Sequence, residues 1–162
     1  MPGVIEVRPA VVGDAEAVAE IHVRAWQQSY RHLVDTARLD ALVPADRVER
    51  WREIFRTPAV DAWVAQLDGV TVAWATASAR DPAGQPRARE LNGIYALASA
   101  YGTGVGQALL DAAIGDAGAF LWVAADNPRA HAFYRRNGFA ADGEAQNYEM
   151  LGSQLSVVRW VR

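Results

Sequence analysis

Three glycines stand at every second position in "AYGTGVGQALL": Gly102, Gly104 and Gly106. Ordered glycine is costly in conformational entropy, so such density implies that the backbone is needed there. A strand-like run, Glu90–Leu97, precedes the loop, and a helix-like run from Val105 to about Asp116 follows it. A helix N-terminus offers unpaired N–H groups and partial positive charge. Glycines before it let an anion approach the backbone, which makes the stretch a candidate pyrophosphate cradle. An ordinary strand-to-helix turn is the plainer reading. Further on, Asn127 and Tyr134 lie seven residues apart in "NPRAHAFYRRNGF", about two helical turns, and so share one helix face with Ala130 between them. A phenol there could protonate a leaving group. Spacing alone leaves Tyr134 equally well explained as a packed helix tyrosine.

Other groups are candidates of lower specificity. Glu90 opens its strand, where the residue alone reads as a surface carboxylate. His22, Trp26 and Tyr30 recur every four residues on one helical stripe, which reads as core for Trp26 and Tyr30 and as a solvent or capping group for His22. His32 and His131 lack any metal-ligand spacing, and the chain has no cysteine, so no metal site, thiolate nucleophile or disulfide is expected.

The elements that must position these groups follow from pattern and punctuation. Val4–Arg8 reads as a strand ended by Pro9. A helix runs from Asp14, its expected N-cap, through about Tyr30. Helix continues over about Thr36–Phe55 with a break near Pro44, burying Val48, Trp51 and Phe55. Ala62–Leu67 and Val70–Ala77 flank Asp68-Gly69, a strong type I′ hairpin signal. Phe120–Ala124 is a strand, and Pro128–Asn137 a helix stopped by Gly138. Phe139–Asp142 and Leu155–Val161 are the final strands, the latter suited to a sheet edge that pairs or to a dimer contact. Hairpins followed by β-α-β-α indicate a single-domain α+β fold over residues 1–162 with a mixed sheet.

Bulk properties narrow the function. The chain has 162 residues, a net charge of −3 and no lysine, so the basic stripe of a nucleic-acid binder is absent. No apolar run is long enough to span a bilayer, and the N-terminus does not read as a secretory signal; a cytoplasmic location is expected. A dinucleotide could own the loop, with Asp126 as its ribose-binding acid. Against this, Gln107 replaces the third Rossmann glycine and the hairpin demands antiparallel neighbours.

The glycine loop resembles the signature [R/Q]-G-x-G-[I/V]-G-x-x-L-L of the GNAT superfamily of N-acetyltransferases. "NPRAHAFYRRNGF" resembles that family's N-x-x-A-x-x-F-Y-x-x-x-G-F, one helix and one strand later. The resemblance implies a mostly antiparallel sheet whose two central strands splay, helices on both faces, and acetyl-CoA threaded through the splay. It implies pantetheine on the backbone of Tyr95, Ala96 and Leu97, and pyrophosphate on the N–H groups of Gly102, Gly104, Val105, Gly106 and Gln107. Asn127 would contact the pantetheine arm, Tyr134 would protonate the thiolate, and Glu90 matches a glutamate base of some members. "HVRAWQQSYRHLV" resembles a segment common in the family, which marks His22, Trp26 and Tyr30 as acceptor-side pocket residues, and the mild acidity is compatible with a cationic acceptor. The implied reaction is direct attack of a small-molecule or peptide amine on the thioester. A non-catalytic CoA-binding protein of the same fold is the rival in that family. One departure stands out: Tyr101 occupies the position of the usual Gln or Arg.

Overall fold

The computed structural model describes residues 2–162. Its strands are β1 (Ile5–Pro9), β2 (Val60–Leu67), β3 (Val70–Ala79), β4 (Arg89–Ala96), β5 (Phe120–Ala124), β6 (Ala140–Met150) and β7 (Ser153–Val161). Its helices are α1 (Ala15–Ser29), α2 (Thr36–Asp40), α3 (Val48–Arg56), α4 (Val105–Ala113) and α5 (Pro128–Arg136). The strands make one seven-stranded sheet in the order β1-β2-β3-β4-β5-β7-β6. Every neighbouring pair is antiparallel except β4 and β5.

Side-chain alternation assigns the two sheet faces. Ala65, Ala73, Ala75 and Leu91 point to one side and pack with Val105, Leu109 and Leu110 of α4. Val64 and Trp74 point to the other and pack with Val18 and Ile21 of α1 and Trp51 of α3. Helices therefore cover both faces. Leu109 and Leu110 are essentially sealed from solvent, and truncating either to alanine is worth roughly 3 kcal/mol.

Local chemistry explains the joints. Asp68 and Gly69 both have positive φ, 52° and 80°, so the β2–β3 hairpin turns as its Asp-Gly promised. A second turn of this kind, Leu151-Gly152 with φ of 52° and 74°, joins β6 to β7. Leucine is a poor turn signal, which is why the sequence reading ends the strand at Asp142 whereas β6 runs on to Met150. Strand β7 pairs on both sides, with β5 and β6, so it is an interior strand; the edges are β1 and β6. Asp14 precedes α1 but does not cap it. Its carboxylate instead accepts from Arg8 (2.8 and 2.9 Å) and from the Val11 N–H (2.8 Å), and the Arg8 hydrogen bond holds its pKa below the usual carboxylate value.

Two irregularities in β4 prepare a site. Thr76 pairs with Gly93 but Ala77 with Leu91, so Asn92 is an extra, bulged residue. The Asn92 side chain accepts from Ser78 Oγ at 2.6 Å. On its other edge, β4 meets β5 at a single registered pair, Glu90 with Phe120, among the described residues. Beyond that pair the parallel strands diverge. Among the described residues, no helix is long and apolar enough to cross a membrane.

Candidate active site

The divergence of β4 and β5 opens a cavity of about 850 Å³. One end is walled by β4, the glycine loop, the start of α4, and α5. The other is walled by Trp26 and Tyr30 of α1, Trp122 of β5, and Tyr148, Met150, Leu155 and Val157 of the β6–β7 hairpin.

The loop end presents backbone donors. Gly102 and Gly104 have φ of 76° and 96°, a region closed to most residues. Gly104 is the N-cap of α4, and the helix ladder begins with the Ala108 N–H to the Gly104 carbonyl. The N–H groups of Gly102, Gly104, Gly106 and Gln107 have no protein partner among the described residues. The Val105 N–H is weakly held by Thr103 Oγ1 at 3.4 Å, and that hydroxyl donates to the Ala100 carbonyl. Gly106 has ordinary helical φ; a Cβ there would meet Phe133 at 3.6 Å, ordinary contact. Two glycines are thus required by the turn, and the third is not.

Tyr101 has a partner that its sequence position does not reveal. The Arg129 guanidinium, from the first turn of α5, stacks on its ring 3.1 Å from the centroid. Both side chains line the cavity, and Arg129 makes no ion pair among the described residues. A guanidinium therefore stands beside the loop although the loop itself supplies none. The only sequence signal was an arginine two residues after Asn127.

On α5, Asn127, Ala130 and Tyr134 all face the cavity, as their spacing requires. Asn127 caps the helix, its Oδ1 accepting from the Ala130 N–H at 3.2 Å. Tyr134 is 8% exposed and packs edge-on against Phe133 and Phe139. Its hydroxyl has no protein partner among the described residues, and burial raises its pKa above that of an ordinary phenol. A neutral phenol free of protein acceptors is available as a proton donor. His131 faces away from the cavity: its Nε2 meets the Ala124 carbonyl at 3.0 Å and its ring lies against Trp160.

The remaining candidates divide. Tyr95 and Ala96 line the cavity, whereas the Leu97 N–H is spent on the Val72 carbonyl. Trp26 and Tyr30 line it too, and the Tyr30 hydroxyl meets that of Tyr95 at 2.9 Å. His22, one turn earlier, lies outside the wall among Trp26, Trp51, Trp74 and Tyr95. Its Nδ1 accepts from Trp51 Nε1 at 3.2 Å. Burial, helped by the nearby Arg47 charge, lowers its pKa to about 4. Glu90 also lies outside the wall, tied to Arg80 at 2.5 Å.

Known proteins resemble this chain in sequence and in fold. The probable N-acetyltransferase Rv2775 of Mycobacterium tuberculosis is 26% identical over 156 residues, spanning 93% of this chain and 88% of the relative. The fold matches a ribosomal-protein-alanine N-acetyltransferase from Brucella melitensis with a TM-score of 0.74 at 22% identity, over 97% of this chain and 98% of that one. It also matches the PaiA N-acetyltransferase of Thermoplasma acidophilum, solved in complex with coenzyme A. There the TM-score is 0.71 at 16% identity, over 96% of this chain and 98% of that one. Residues 15–139 match the model of the acetyltransferase (GNAT) family, and with that span, the splayed β4–β5 pair and the glycine-loop cradle, the chain belongs to that family of acetyl-CoA-dependent enzymes.

Proposed function

We propose that the chain, acting as one domain, transfers the acetyl group of acetyl-CoA directly to an amine inside the cavity. The observation that carries this reading is the loop end: four unpartnered N–H groups at a helix start, two of them on glycines at positive φ, beside an unpaired guanidinium. The pyrophosphate would accept from Gly102, Gly104, Gly106 and Gln107, with Val105 contributing once Thr103 yields. Arg129, steadied by Tyr101, would supply the countercharge. The pantetheine arm would run along the open edge of β4 at Tyr95 and Ala96, with Leu97 at its margin and the Asn127 amide facing it. The thioester then reaches the Tyr134 hydroxyl.

The amine lone pair attacks the thioester carbonyl and forms the N–C bond. The C–S bond breaks, and the departing thiolate takes the Tyr134 proton. The proton lost by the amine passes to water and restores the phenol. No covalent enzyme intermediate is needed. Glu90 would reach this chemistry only through water, since it stands outside the wall. The dinucleotide alternative fits the topology poorly, because only one strand pair is parallel.

Two measurements test the reading. Acetyl-CoA should raise the melting temperature and NAD(P) should not; stabilisation by NAD(P) alone would reverse the assignment. Thiol release should appear with at least one member of a broad amine panel. Acetyl-CoA binding with no turnover of any amine would favour a CoA-binding protein without catalysis.

A further inference from the structure

The acceptor end of the cavity has no acid in it. Among the residues that wall the cavity there is no aspartate, glutamate or histidine. Its fixed charges, Arg129 and Arg136, are positive. Two more guanidinium groups stand behind the acceptor wall: Arg47 lies 5.7 Å from the Trp26 ring and Arg159 5.7 Å from the Trp122 ring. The wall's unpartnered buried polar atom, Trp26 Nε1, is a donor only. Around it the surface is mainly apolar, Trp122, Met150, Leu155 and Val157, and its remaining polar groups are uncharged, the phenols of Tyr30 and Tyr148 and the amide of Gln146 among them.

An alkylammonium ion brought here would lose water and gain no counterion. A buried charge without a partner is strongly unfavourable, and the Arg47 guanidinium behind Trp26, in no ion pair among the described residues, adds repulsion. The chain's net charge of −3 gives the opposite expectation, a cationic acceptor, but no negative side chain lines the cavity: Glu90 is tied to Arg80 outside the wall, and Asp142 is spent on Arg159 behind it. Resting on the acetyl-CoA reading above, we propose that the acceptor is a weakly basic amine on an aromatic body, an arylamine class of substrate that enters uncharged. Arylammonium ions are much stronger acids than alkylammonium ions, so arylamines are free bases at neutral pH. Such an acceptor needs no enzymic base to expose its lone pair, and its ring suits a wall containing Trp26, Tyr30 and Trp122. The proton released on attack goes to solvent.

The test is thiol release from acetyl-CoA with size-matched pairs, substituted anilines against cyclohexylamines and benzylamines, with a polyamine and a lysine peptide as cationic arms. At pH 7, kcat/KM for the anilines should exceed that for the matched alkylamines by at least about tenfold. From pH 7 to 9 the alkylamine value should climb about tenfold per unit, following its own free base. A plateau well below the amine's pKa would reveal an enzymic base and overturn the proposal, as would preference for the polyamine or lysine peptide. Gln146→Glu, which puts a carboxylate on the wall, should narrow the aniline preference about tenfold. An unchanged ratio in that variant also counts against it. A melting-temperature rise with acetyl-CoA is measured in parallel. If that rise is present and anilines are not turned over, the arylamine inference fails while donor binding stands; if it is missing, the donor reading itself fails.

Discussion

At the α4 end of the cavity the groups offered to a ligand belong mainly to the backbone; at the β7 end they are side chains. The first end is fixed by φ angles and by a helix start, and tolerates little change in glycine spacing. The second is assembled from α1, β5, β6 and β7, and its shape changes with any one residue. A site built this way can keep its donor while its acceptor varies. On the proposed reading the loop end is the donor half and holds geometry, and the β7 end is the acceptor half and holds chemistry.

The sharpest way to break this division is at Tyr134, where the halves meet. Tyr134→Phe should lower kcat about 10²-fold and leave the KM for acetyl-CoA unchanged, measured by thiol release with a working acceptor. An unchanged kcat removes the proton-donor role. The next largest effect is expected behind the acceptor wall. His22 is neutral in the fold, with a pKa of about 4 against an ordinary value of 6.5. Below pH 6.5 the unfolded chain takes up a proton that the native chain refuses, so stability falls as pH drops towards 4. Between pH 7 and pH 5 the loss should be about 2 kcal/mol, read from urea midpoints, and His22→Gln should flatten it. A wild type equally stable at both values contradicts the buried-neutral assignment.

Arg129→Ala should raise the acetyl-CoA KM about tenfold, less in high salt, with little effect on kcat. A loss confined to kcat would move Arg129 from the donor half to the chemistry. The smallest effects separate the glycines by calorimetry. Gly104→Ala forces a Cβ into left-handed backbone and should cost about 1 kcal/mol. Gly106→Ala sits in helical backbone with room beside Phe133, and should stabilise by about 0.5 kcal/mol.

The same contrast explains what could be read in advance. The proposed donor half falls within one continuous stretch, Tyr95 to Tyr134, where glycine spacing and helical period act over a few residues. The loop, the cap at Asn127 and the inward Tyr134 all follow from that local order. The acceptor half joins Trp26 to Val157, and no local period carries information over that distance. On α1, Trp26 and Tyr30 reach the wall while His22, about 6 Å further down the axis, falls behind it. A stripe identifies a face but not where along that face a cavity stops. The β6–β7 wall was hidden by its Leu-Gly turn, and the Tyr101–Arg129 stack depends on two elements meeting in space.

The single Glu90–Phe120 rung has a last consequence. The sheet behaves as two plates, β1 to β4 and β5 to β6, riveted at one end, with the seam elsewhere left for a ligand to bridge. A donor lying in that seam replaces missing rungs, so occupancy and folding become one linked equilibrium. At a hundred times its dissociation constant, a ligand specific to the folded state adds about 2.7 kcal/mol of stability. The protein's resistance to unfolding would then report on the acetyl-CoA supply around it, and proteolytic lifetime in a donor-depleted extract should shorten accordingly.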